Sequence, residues 1–150
     1  MFAAAAVASP AVAQTTAIDV FCEIERTITV SDYGRQPLKR VRIKLWDISV
    51  DTQSRTVAIS DTDDNGRPRT TVWPASAITP TTLVFCTYNI KCGDALTTPS
   101  GQFVDSMLVM PTTIDLRRNI LNRTIRLTRS KGGRATSVRV EEDYGECRRK

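Results

Sequence analysis

The side chains of this 150-residue chain that could do chemistry fall in three places. Asp61-Thr62-Asp63-Asp64-Asn65-Gly66 opens like a calcium loop, with carboxylates at its first and third positions and a sharp-turn glycine at its sixth. Its twelfth position is Val72 where the bidentate glutamate would be required, and β-rich runs flank it where helices should stand. It reads as an Asp/Asn/Gly turn between strands. Glu141-Glu142-Asp143 could supply paired carboxylates for acid–base work. A contiguous acidic run so near Lys150 reads instead as a solvated surface. Cys22, Cys86, Cys92 and Cys147 could hold a metal or pair with one another, but there is no histidine and the C-x5-C spacing matches no zinc knuckle.

The absence of histidine also removes Ser-His-Asp and Cys-His activation and the commonest general base near neutral pH. No glycine-rich phosphate loop precedes a helix. The expectation is a protein that is not an enzyme, with no catalytic residue, no metal and no cofactor.

An even number of cysteines in an exported chain favours two disulfides, and four cysteines allow three pairings. The pairing expected here has Cys86–Cys92 stapling the loop after a strand and Cys22–Cys147 tying the first strand to the tail. Export is suggested by residues 1–13, a short apolar run ending in Ala11-Val12-Ala13, small residues where a signal peptidase reads. No basic segment precedes the run, so it reads as a truncated signal peptide, leaving 14–150 as one domain. The run is too short to span a bilayer. Asn122-Arg123-Thr124 is then a glycosylation sequon, marking a surface position.

The net charge is +5, and Arg117, Arg118, Arg123, Arg126, Arg129, Lys131, Arg134, Arg139, Arg148, Arg149 and Lys150 all lie in the last third. Such a surface could meet lipid headgroups, acidic glycans or an extracellular protein, or simply keep the chain solvated. Tyr144 alone interleaves with the last basic cluster, which leaves base stacking little to work with and speaks against nucleic acid.

The elements that must position these groups are strands. Residues 18–30, 39–48, 55–60, 69–73, 82–88, 102–110, 123–129 and 137–141 are rich in β-branched residues or alternate apolar with polar ones. Val41, Ile43 and Leu45 are expected on the core side of the second strand, Val57 and Ile59 in the third, and Ile125 and Leu127 in a late one. Trp46, opposite in phase to Val41, Ile43 and Leu45, fills a second core layer or stands as an exposed anchor. Residues 75–80 and 89–101 read as loops, and 112–121 as an irregular link or a single helical turn. Seven to eight short antiparallel strands without a long helix predict an all-β, immunoglobulin-like β-sandwich.

Gly34-Arg35-Gln36-Pro37, Val41-Arg42-Ile43-Lys44-Leu45-Trp46-Asp47, Thr62-Asp63-Asp64-Asn65-Gly66, Ile78-Thr79-Pro80 and Leu83-Val84-Phe85 follow one another in an order that resembles the nematode transthyretin-like family. The resemblance covers roughly residues 30–129 and implies a secreted transthyretin-like β-sandwich with no catalytic residues. Its implied role is extracellular binding or signalling with an undefined ligand, and association of copies through sheet edges. The chain departs from the family at Phe85-Cys86-Thr87-Tyr88 and lacks the early cysteine expected near Asp32 or Tyr33, so its cysteine framework differs. It also lacks the histidines and the Tyr-Arg-Gly-Ser tail of the hydroxyisourate hydrolases that share that fold. A structural or adaptor sandwich module of a secreted bacterial protein is the alternative role.

Overall fold

In the computed structural model, residues 18–88 and 91–150 are described. The proposed leader, 1–13, lies outside them. Ten strands follow in order: β1 (Ile18–Asp32), β2 (Leu38–Asp51), β3 (Thr56–Thr62), β4 (Pro68–Ile78), β5 (Thr82–Phe85), β6 (Ala95–Ser100), β7 (Phe103–Val109), β8 (Thr112–Asp115), β9 (Ile120–Lys131) and β10 (Arg134–Arg149). The all-β class expected from the sequence is present, with ten strands in one antiparallel sheet in place of seven to eight. The sheet has the order β10-β1-β2-β3-β4-β5-β8-β9-β7-β6, and β10 also pairs with β9. That pairing closes a ring of β1, β2, β3, β4, β5, β8, β9 and β10, in which each strand neighbours the next of the ring, as in an up-and-down barrel. The β6–β7 hairpin is inserted between β5 and β8 and docks on β9.

The barrel interior is filled by alternate residues of its strands. Val20, Cys22, Ile24, Trp46, Ile48, Val50, Val57, Ile59, Leu83, Phe85, Ile114 and Leu121 form one buried cluster, with Trp73 and Ile78 packed against it. Of the three pairings open to the cysteines, the structure has Cys22–Cys147 and Cys86–Cys92. Cys22 and Cys147 stand directly opposite each other on β1 and β10, inside the ring. Two of its turns are closed by aspartates. Asp51 Oδ1 accepts the Gln53 and Ser54 amides at 2.9 and 3.1 Å, and Asp115 Oδ1 those of Arg117 and Arg118 at 2.9 and 3.0 Å.

Four strands outgrow the barrel. Beyond its mouth, β2, β1, β10 and β9 continue and are widened by β7 and β6 into an open sheet, here termed the wing. The wing explains where the sequence reading fails. Val41, Ile43 and Leu45, expected in the core, are 52%, 58% and 53% exposed. β2 carries two apolar stripes of opposite phase, and only the second, Trp46, Ile48 and Val50, faces the barrel interior. Ile125 is buried, but Leu127, on the same face two residues further out, belongs to the wing and is exposed. Residues 112–121, read as a link or helical turn, supply the four-residue β8 and the start of β9. The expected loops at 75–80 and 89–101 contain the end of β4 and all of β6.

Gly145 of β10 sits where the barrel wall is tightest. A Cβ there would lie 3.0 Å from Ile24 Cγ1, 3.2 Å from the Glu23 carbonyl oxygen and 3.3 Å from Leu121 Cβ. Gly145→Ala should therefore cost about 1–3 kcal/mol by overpacking, read as a lowered denaturant midpoint. The turn aspartates set an acid limb. The Ser54 amide and hydroxyl hold the Asp51 carboxyl below its ordinary value, and the Arg118 amide does the same for Asp115. A carboxylate whose native pKa is depressed stabilises fully above the unfolded value, and that contribution is lost as pH falls through the native one. The paired Asp51→Asn and Asp115→Asn variant should show a flatter fall in urea midpoint below about pH 4 than the unaltered chain.

Candidate functional site

The boundary between barrel and wing is a layer of charge. Arg26 of β1, Asp143 of β10 and Arg123 of β9 share the inner face at one level, because Arg26 is registered with Asp143 and Asp143 with Arg123. Arg26 grips Asp143 bidentately, Nε to Oδ1 at 2.8 Å and Nη2 to Oδ2 at 3.0 Å. Arg123 Nη2 reaches the same carboxylate at 2.8 Å and Glu141 Oε1 at 3.0 Å, while its Nη1 donates to Thr87 Oγ1 at 3.0 Å. Glu141 lies 3.1 Å from Arg26 Nε. Arg123 is 7% and Asp143 3% exposed. The acidic run read as solvated surface thus supplies two of the four charges of a largely buried network. Neither partner is near it in the chain, which is why the run alone looks like surface.

Burial opposes the Arg26 charge, but the hydrogen bond and charge of Asp143, with Glu141, outweigh it and hold its guanidinium above the ordinary value. For Arg123 burial prevails over Asp143 and Glu141 and lowers the value. The Arg123 guanidinium also lies 5.6 Å from the centre of the Trp46 ring. A cavity of about 250 Å³ opens above the network, lined among others by Trp46, Asp61, Arg69, Trp73 and Tyr88. Trp46 Nε1 and Arg123 Nε have no hydrogen-bond partner among the described residues, each a desolvation cost carried by the mouth. Arg69 clamps Asp61 at 2.7 and 3.0 Å. Every carboxylate of the mouth is therefore matched by an arginine, an arrangement suited to sealing the barrel.

Above the mouth, the wing presents both faces to solvent. Its outer face aligns Val41 with Thr27 and Glu142, and continues down the outside of the barrel wall through Ile43, aligned with Glu25 and Tyr144, and Leu45, aligned with Glu23 and Glu146. Its inner face carries Arg40, Arg42 and Arg139 beside Ile28, Val30 and Leu38. A broader depression of about 690 Å³ further out includes Leu96, Met107 and Leu127. The long edge of β2 is open. β3 pairs with β2 only from Asp47 to Asp51 and then diverges, so residues 38–46 bond on one side, to β1. The β3–β4 turn leans back across the gap, where Asp64 lies 3.5 Å from Lys44 and 3.9 Å from Arg42. Between edge and turn is a fork of about 470 Å³.

The residues singled out in the sequence are distributed as follows. Asp61 is paired with Arg69, and Asp63 Oδ1 accepts the Asn65 and Arg67 amides at 2.9 Å each, so the calcium-like segment is occupied with its own turn. No group of three or more metal-binding side chains stands together among the described residues. Asn122 is exposed near the start of β9, between β8 and β10. The basic residues of the last third are dispersed: Arg123 is buried in the mouth, Arg129 pairs with Asp105, Arg148 stacks on Phe21 and Lys150 pairs with Asp47. The open β2 edge was missed because alternation reports a period and not which neighbours a strand has. No helix among the described residues is long and apolar enough to cross a membrane. Compared with protein-family models and with curated proteins, the chain matches none.

Asp143→Ala would leave the Arg26 and Arg123 guanidinium groups facing each other with Glu141 as their one remaining shared carboxylate. Thermal or urea unfolding should show a loss of about 3–5 kcal/mol. A loss below about 1 kcal/mol would mean that the mouth is hydrated and that the network does not seal the barrel.

Proposed function

We propose that this is a secreted, non-catalytic binding protein that uses the wing to engage an extracellular partner, with the barrel as its scaffold. The observation that carries this reading is the row Val41, Ile43 and Leu45, each more than half exposed on a rigid strand that its neighbour β1 holds in place. A contiguous apolar stripe kept in water on an ordered sheet is the usual mark of an interaction surface. Two disulfides support an oxidising compartment, and with it the reading of residues 1–13 as a leader and of Asn122 as a glycan acceptor.

The non-catalytic part rests on the mouth. The mouth carboxylates Asp61, Glu141 and Asp143 are each engaged by arginine, and the sequence has no histidine to stand in for them. Kinship with the transthyretin-like family is part of the proposal. The segments that carry it, Val41–Asp47 and Thr62–Gly66, form the two sides of the β2–β3 fork. Opposite walls of the ring, facing each other across a packed interior, would be the two layers of its sandwich.

The test is a screen of the protein against arrays of phospholipid headgroups, acidic glycans and extracellular polypeptides, beside the variant Val41→Thr, Ile43→Thr, Leu45→Thr. Threonine keeps the β-branched strand character and removes apolar surface. A polypeptide partner bound by the unaltered chain and lost in the variant, with unchanged circular dichroism, is the expected result. Binding that survives in the variant, or capture by lipid or glycan alone, would overturn the reading.

A further inference from the structure

We propose that the open edge of β2, residues 38–45, takes up an extended segment of its partner protein as an added strand, and that this segment alternates acidic with apolar residues. The inference rests on the reading of the wing as a binding surface and specifies how that surface binds.

Four observations lead there. First, the edge is free: from Leu38 to Trp46 the backbone is bonded to β1 on one side, and β3 has already turned away on the other. A long open edge is a template for another strand, and its main-chain groups supply affinity to any extended peptide that reaches them. Second, the two faces of this edge differ in chemistry. Val41, Ile43 and Leu45 stand on one and Arg40, Arg42 and Lys44 on the other. A strand laid against it places successive side chains alternately beside the apolar row and beside the cations, so the period of two is imposed on the partner.

Third, the edge already attracts carboxylates. Asp64, on an exposed turn and itself 81% accessible along its side chain, comes within 3.5 Å of Lys44 and 3.9 Å of Arg42 across the fork. An exposed ion pair of this kind is worth little and yields readily to a competing carboxylate. Fourth, a second copy of this chain is a poor occupant. Two-fold pairing of the edge with itself keeps like faces together and sets Arg40, Arg42 and Lys44 of one copy against those of the other. Like charges directly opposite are destabilising, and cations on an edge are a common guard against self-association. The chemistry therefore selects a foreign acidic strand over a copy of this chain.

The experiment uses the full chain and synthetic peptides of roughly eight residues, the length of the free edge. One peptide alternates Glu with Val and another Lys with Val. The Glu–Val peptide should bind, with amide shifts confined to β2 and the β3–β4 turn, and the Lys–Val peptide should not. Arg40→Glu with Arg42→Glu should lower affinity for the Glu–Val peptide by at least about tenfold and raise it for the Lys–Val peptide. Two further Glu–Val peptides carry N-methyl groups on alternate residues, in one phase or the other. Strand addition predicts that one phase abolishes binding and the other spares it, since only one set of amides faces β2. Equal binding by both phases would overturn the inference, because contact through side chains alone needs no particular amide. Failure of the Glu–Val peptide, while the array partner still depends on Val41, Ile43 and Leu45, would refute the added strand and leave the wing reading intact. Array binding that ignores those three residues would remove both.

Discussion

Asp143 is the residue around which the two halves of this molecule are arranged. Its carboxylate has no exposed surface and is held by Arg26 from one neighbouring strand and Arg123 from the other. Charges are placed in a protein interior at a large desolvation cost, which is recovered only if each is met by good geometry and further hydrogen bonds. Here Glu141 and Thr87 supply them. The layer separates a dry ring, with Phe85, Leu83, Ile24 and Ile48 inside, from a sheet wetted on both faces. The same three strands run through both regions, so the network also fixes the level at which the barrel stops.

β2 changes character where β3 leaves it at Asp47, on the barrel side of Arg42, the residue registered with Arg26 of the charged layer. Below that point, β2 has a neighbour on each side and buries Trp46, Ile48 and Val50. Above it, one neighbour has departed and the apolar residues lie on the opposite face. A strand that needed only to be soluble would carry polar residues on that face, as its neighbours Glu23 and Glu25 do. Val41, Ile43 and Leu45 depart from that pattern, and cations line the reverse side of the same edge. The buried stripe and the proposed recognition surface thus occupy consecutive stretches of one strand.

How much of this was legible beforehand follows from what alternation encodes. The all-β class, the inward residues Val57 and Ile59, and the burial of Trp46 as one of two alternatives follow from period and residue type. The direction of the first β2 stripe does not, because Val41, Ile43 and Leu45 have the pattern of a core whether or not another layer covers them. β8 is four residues long, too short to show a period, so its sequence reads equally as a link or a helical turn. The charged layer was invisible for another reason: Arg26 and Asp143 are 117 residues apart in the chain. The acidic run at Glu141-Glu142-Asp143 differs from a solvated tail only through partners that the fold delivers.

β2 passes at Trp46 from a strand bonded on both sides to an open edge. Residue-resolved amide hydrogen exchange along β2 tests it most directly. The amides of 47–51 that bond to β3 should be strongly protected, with a sharp drop from Leu45 outward for alternate amides, those that face solvent, while their neighbours bonded to β1 stay protected. Uniform protection of every amide from Leu38 to Asp51 in the isolated protein would contradict it, since the edge would then already be covered.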